Sequence, residues 1–286
     1  MKTLMIAVLL LVGAPAWAET HRIALGDRIY RIDLPDNPRG APLLLALHGG
    51  GGSADQFARA SRLSGPGTAS GYAVIYPEGS GRSRLKTWNA VYCCAYAQRE
   101  RVDDVAFLDA VIADASSRFG LDNSRIYLTG MSNGSMMAET YAALRPGRVS
   151  AVAGVAGTFD TDSVRVRGQV PMMHIHGTAD DMVPYQGGQG GSSLTRTDFS
   201  SVADVVSAFR RTAGSGLRES SRVIDPARDG MRVIETTWSR GGRPWVRLMT
   251  IEGGGHAWPG AARNSRKTTR DIDANAEILR FFAAFR

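Results

Sequence analysis

The sequence predicts an α/β fold of one domain, a mostly parallel sheet flanked by helices, and three observations predict it. Residues 43–47 (LLLAL) form a short continuous apolar run, as expected of a strand buried on both faces of a parallel sheet. Similar runs recur at 72–76, 126–129, 149–155, 171–175 and 246–251. Helical patterns lie between them at 104–119, 136–144, 202–209 and 274–285, the first with Asp103 as a good N-cap. Strands alternating with helices imply βαβ units with right-handed crossovers. Ahead of them, residues 22–34 alternate around Gly26-Asp27 and predict an antiparallel hairpin.

The ends and the composition set further bounds. Residues 1–18 read as a signal peptide: Lys2, an apolar run, then Ala16-Trp17-Ala18 as a small-x-small cleavage site. The run is too short to span a bilayer, so a retained anchor is the weaker reading and no membrane span is expected. A secreted protein, periplasmic or extracellular, would then begin at Glu19, with 19–286 as one catalytic domain. The net charge of +7 is carried by 31 Arg against 3 Lys, scattered along the chain. No basic run interleaved with aromatics suggests a nucleic-acid face. The glycine-rich 187–193 is short enough for a surface loop.

Ligands of parallel sheets gather at the carboxyl ends of the strands, and four sequence signals fall there. Gly130-Met131-Ser132-Asn133-Gly134 follows one strand-like run and precedes a helix. A serine on such a turn is pushed out of the sheet edge, with glycines leaving room for close packing. Alone the pattern is weak, and Ser132 could be an ordinary helix N-cap. His48-Gly49-Gly50-Gly51-Gly52 follows the 43–47 run. A glycine run lets backbone N–H groups approach a developing oxyanion. Gly50 is the preferred donor, with Gly49 and Gly51 as rivals, and Asn133, after the serine, the second donor. A phosphate loop would need a following Gly-Lys-Ser/Thr, which is missing.

The third signal is the segment 174–185, HIHGTADDMVPY. A carboxylate just past a buried strand can orient a histidine; Asp180 is preferred and Asp181 is the alternative. His174 and His176 share one strand face and could suggest a metal. The metal-hydrolase form of an H-x-H pattern has an Asp-His pair soon after, and Gly-Thr-Ala follows here instead, so they read as structural, one supporting the Asp180 loop. The fourth signal is His256 in Gly253-Gly254-Gly255-His256-Ala257-Trp258, after the last apolar strand. It completes the order Ser132, Asp180, His256 expected of a hydrolase of this architecture. Such a triad needs neither metal nor cofactor.

Together the motifs resemble the polyhydroxybutyrate depolymerase-like and feruloyl esterase-like secreted esterases of the α/β-hydrolase superfamily. The resemblance rests on Leu47-His48-Gly49-Gly50, Trp88-Asn89-Ala90 with Cys93-Cys94, and Val102-Asp103-Asp104-Val105. It continues through 130–137 (GMSNGSMM), His176-Gly177-Thr178-Ala179-Asp180 with Val183-Pro184-Tyr185, and 254–260 (GGHAWPG). It implies an α/β-hydrolase fold and places the triad on Ser132, Asp180 and His256, in agreement with the residues read directly.

Small or oligomeric esters are the expected partners, 3-hydroxybutyrate-type oligoesters first, with feruloyl, aryl or acetyl esters as the alternative. The same scaffold could run acyl transfer, and the complete triad argues against a binding protein that has lost catalysis. Trp88, Tyr92, Tyr185 and Trp258 could wall the substrate or simply pack. The chain stops at Arg286 just after its last helix, so no separate polymer-binding module is expected. Cys93 and Cys94 are too few for a zinc site. Neighbouring Cα atoms lie about 3.8 Å apart, short of the roughly 4.4–6.8 Å usual for bridged cysteines. A vicinal disulfide and two free thiols both remain open.

Overall fold

The structure is a computed structural model that describes residues 19–82, 85–193, 195–261 and 267–286; the signal-peptide segment 1–18 lies outside the described residues. Its core is a ten-stranded sheet in the order β1-β2-β4-β3-β5-β6-β7-β10-β9-β8. The expected hairpin is β1 (Glu19–Leu25) with β2 (Arg28–Leu34), turning at a positive-φ Gly26. The apolar runs become β3 (Pro42–Leu47), β4 (Ala73–Pro77), β5 (Asp122–Met131), β6 (Ala151–Val155), β7 (Met172–Gly177) and β10 (Arg243–Glu252). Those strands run parallel to one another.

The period of a strand sorts the core into two layers. Leu43, Leu45 and Leu47 of β3 face one side, with Ile126 and Leu128 of β5. That side is covered by α4 (Asp104–Phe119), α5 (Asn133–Leu144) and α6 (Val202–Thr212), after the short helices α1 (Ala54–Ser61), α2 (Ser64–Ala69) and α3 (Ala95–Arg99). Leu44 and Ala46 face the other side, where Phe57 of α1 and Phe281 and Phe282 of α7 (Ala274–Ala283) pack. Burying each such Leu or Phe contributes about 1.5–3 kcal/mol, which is why unbroken apolar runs are confined to this double-covered centre. This is the α/β-hydrolase fold.

The chain passes from β3 outward to β4 and then back across β3 to β5. Strand order therefore reverses at β3, and the crevice beyond its carboxyl end is where ligands of open parallel sheets bind. Sequence patterning did not foresee β8 (Arg218–Ile224) and β9 (Arg232–Arg240), which extend the sheet antiparallel beyond β10. β8 (RESSRVI) is exposed along nearly its whole length and so lacks the apolar face that would reveal a strand.

Candidate active site

Ser132 sits between β5 and α5 with φ 57° and ψ −125°, a conformation that costs a non-glycine residue about 1–3 kcal/mol. Packing holds it there. A Cβ on Gly130 would stand 2.4 Å from the Gly134 carbonyl, and one on Gly134 would stand 2.2 Å from the Leu47 carbonyl. Only with both glycines can α5 press this close to β5 and β3. The Ser132 N–H is spent on the Val155 carbonyl at 2.8 Å. The next N–H, that of Asn133, opens the helix and has no intrahelical acceptor to take it.

The loop after β3 lies against this turn, with the Cβ position of Gly50 only 3.6 Å from the Asn133 Cβ. Gly51 and Gly52 donate their N–H groups to Lys86 and Gly49, at 2.8 and 3.0 Å. Among the described residues no acceptor takes the Gly49 or Gly50 N–H, so Gly51 is the weakest of the three candidate donors. His48 shapes the loop rather than reacting. Its Nε2 accepts the Gly79 N–H at 2.9 Å, and its Nδ1–H therefore donates to the Gly49 carbonyl at 2.8 Å. Burial pushes its imidazole down to about 4, so it stays neutral.

Trp88 ties the loop to the turn. Its indole N–H donates to the His48 carbonyl at 2.9 Å. Its backbone N–H donates to Asn133 Oδ1 at 2.7 Å, and its carbonyl accepts from Asn133 Nδ2 at 3.0 Å.

Asp180 and His256 come from loops after β7 and β10. His256 Nδ1 stands 2.8 Å from Asp180 Oδ2, while Asp180 Oδ1 accepts the Met182 and Val183 N–H groups at 2.9 Å each. Burial alone would push the Asp180 carboxyl up; hydrogen bonds and charge from His176 and His256 hold it below the usual carboxylate range. Asp181 turns the other way, accepting from the Ser192 hydroxyl at 2.8 Å. Of the two neighbouring aspartates, Asp180 is the one that meets His256.

Ser132 and His256 line one cavity of about 750 Å³, together with Gly49–Gly52, Met131, Met182 and Trp258. Of the four aromatic residues considered for a substrate wall, Trp258 alone lines this cavity. Trp88 is fully buried; Tyr92 donates to the Thr158 carbonyl, and Tyr185 pairs with Thr250 Oγ1 at 2.7 Å. The Cys93 and Cys94 sulfurs are brought together as a vicinal pair, with Cys93 buried against Met136 and Val183. Among the described residues no cluster of ligating side chains could hold a metal ion, and no helix is long and apolar enough to cross a membrane.

Residues 30–193 match the family model described as Esterase PHB depolymerase. The chain belongs to that family. It is 32% identical over 253 residues to NocK of Nocardia uniformis subsp. tsuyamanensis, described as an esterase, spanning 83% of this chain and 72% of that one. Feruloyl esterase B of Piromyces equi is 27% identical over 77% of this chain, which matches only 40% of that longer protein. Among solved structures, the acetyl xylan esterase from Aspergillus awamori has a TM-score of 0.62 at 16% identity, over 93% of this chain and 99% of its own, a likeness of fold alone. This esterase is therefore a carboxylic ester hydrolase of the polyhydroxybutyrate depolymerase type.

Proposed function

We propose that this esterase hydrolyses 3-hydroxybutyrate-type oligoesters through a Ser132–His256–Asp180 triad and an acyl-enzyme. The observation that carries the reading is the convergence of a strained Ser132 with an Asp180-paired His256 in one cavity. His256 takes the Ser132 proton as the oxygen attacks the ester carbonyl. Asp180 accepts the Nδ1–H, which leaves Nε2 as the base and stabilises the imidazolium that forms. The N–H groups of Asn133 and Gly50 stabilise the oxyanion. The alcohol departs with the proton from His256, and water then cleaves the acyl-enzyme.

The matched family model favours hydroxyalkanoate esters; the relatives acting on feruloyl and acetylated xylan esters favour the second reading, an aryl or acetyl esterase. A rate panel of 3-hydroxybutyrate dimer and trimer, methyl ferulate and acetylated xylo-oligomers separates them. The first reading expects the trimer to give the highest kcat/KM, and a preference for methyl ferulate or acetyl esters would replace it. Water as final acceptor is checked in the same panel by adding an alcohol and looking for transesterified product. Residues 1–18 would be removed on export, so N-terminal sequencing of exported protein should begin at Glu19.

A further inference from the structure

Behind Asp180 runs a line of buried titratable side chains that the triad mechanism does not use. Glu139 of α5 places Oε1 2.7 Å from His174 Nδ1. His174 Nε2 is 3.1 Å from His176 Nδ1, and the two rings stack with an interplanar angle of 15°. His176 Nε2 is 2.9 Å from the Val183 carbonyl and 3.4 Å from Asp180 Oδ2, the oxygen that also meets His256. The space is shaped for it: a Cβ on Gly154 of β6 would stand 2.1 Å from Glu139 Oε1.

The hydrogens in this line can be assigned from its far end. The Val183 carbonyl only accepts, so His176 Nε2 carries a hydrogen, and a neutral His176 then accepts at Nδ1. His174 must donate from Nε2 and, when neutral, accept at Nδ1. The donor facing that nitrogen is Glu139, which can donate only as a carboxylic acid. Were it a carboxylate, His174 would have to donate from Nδ1. Unless His174 became charged, both tautomers would reverse and His176 would turn a bare lone pair toward the Val183 carbonyl and Asp180.

We propose that Glu139, His174 and His176 form a one-way hydrogen-bond relay that positions Asp180 for His256, with Glu139 as its neutral, donating end. The idea rests on the Ser132–His256–Asp180 reading and deepens it: these three are positioning residues and touch no substrate. His176 fixes Val183 by its carbonyl, while the Val183 N–H fixes Asp180 Oδ1 at 2.9 Å, so the relay sets where the carboxylate sits.

Burial favours the neutral form at each step. It raises Glu139 well above the usual carboxylate range, pushes His174 down to about 3, and lowers His176. Charge on His176 and the nearby Phe159 N–H and Ser135 hydroxyl pull Glu139 the other way, but burial outweighs them. Its Oε2 has no partner in hydrogen-bonding geometry, which a neutral acid tolerates better than a carboxylate. The nearby Ser135 hydroxyl donates to the Gly157 carbonyl instead. The other titratable groups around the line are His256, which shares Asp180; Tyr185, edge-on to His176; and Tyr92 and Asp160 beyond Thr158.

The test compares Glu139→Gln with Glu139→Leu in the full chain. The glutamine amide can replace the O–H donor but cannot balance a histidinium. Glu139→Gln should keep kcat/KM within about threefold of wild type, with the acid limb of its pH profile in place. Glu139→Leu should lower kcat at least about tenfold at nearly constant KM and displace that acid limb by about half a pH unit or more. Nitrogen-15 spectra of the wild-type imidazoles give a second readout that needs neither activity nor a variant. They should show His174 and His176 as neutral Nε2–H tautomers at pH 7. A doubly protonated His174, a glutamine variant as impaired as the leucine variant, or a folded leucine variant with wild-type kcat and acid limb would overturn the relay. Activity surviving in Ser132→Ala would instead overturn the triad and leave the imidazole spectra unchanged.

Discussion

On the β3–β5 side the cavity is shaped by backbone, the strained turn at Ser132 and the glycine loop Gly49–Gly52, braced by Trp88 through His48 and Asn133. On the β7–β10 side they are titratable side chains, His256 backed by Asp180, His176, His174 and Glu139. The first side is set by steric fit between glycines, and its chemistry is insensitive to pH. The second is set by where hydrogens sit, so its geometry depends on protonation. An esterase needs both: fixed donors where negative charge develops, and a base whose proton can move.

The contrast can be broken most severely at the nucleophile. Ser132→Ala should lower kcat by at least about 10⁴-fold while leaving the fold and thermal midpoint near wild type, in steady-state assays and melting curves. On the opposite side, Asp180→Asn should cost about 10³–10⁴-fold in kcat, because the amide favours the wrong imidazole tautomer. Asp181→Asn should stay within about threefold, since its partner is Ser192. Equal losses at the two positions would contradict the assignment of Asp180.

A third effect is one of pH on stability. Below about 6.5 unfolded histidines take up protons, whereas burial keeps His48, His174 and His176 neutral in the fold. The unfolded state then binds more protons, so stability falls as pH falls. Glu139 acts with the opposite sign, since the fold holds a proton that an unfolded carboxyl releases above about 4.3. The three histidines outnumber the one glutamic acid, so stability should fall as pH drops from about 6.5 toward 4.5, each net proton contributing ~1.4 kcal/mol per pH unit. Urea unfolding across that range measures it, and a flat profile would contradict the neutral buried set. A more local effect is expected of Trp88→Phe, which leaves the His48 carbonyl unpaired in the interior. A loss of about 1–3 kcal/mol of stability should follow, with kcat reduced more than KM is raised.

How far each side could be read from the sequence follows from the same contrast. Glycine runs and a G-x-S-x-G turn are sequence patterns, so Gly50, Ser132 and Asn133 could be named together with the strands that carry them. Asp180 and His256 were legible through their positions after apolar strands. Glu139 was not, because a lone glutamate in a helix usually faces water. A signal was there: α5 is buried all round from Asn133 to Ala143, which leaves its glutamate no solvent to face. Trp88 and Tyr185 were placed near the right loops, but a one-dimensional pattern does not say which way a ring points. The polar β8 lacked any apolar run to betray it.

The central claim, that Ser132 is the nucleophile activated by the pair behind it, is tested most directly by covalent labelling with a fluorophosphonate ester. Mass spectrometry of the digested protein should find a single adduct, on Ser132, formed much more slowly in Asp180→Asn. An unlabelled protein that still hydrolyses esters, or an adduct on another residue, would contradict it.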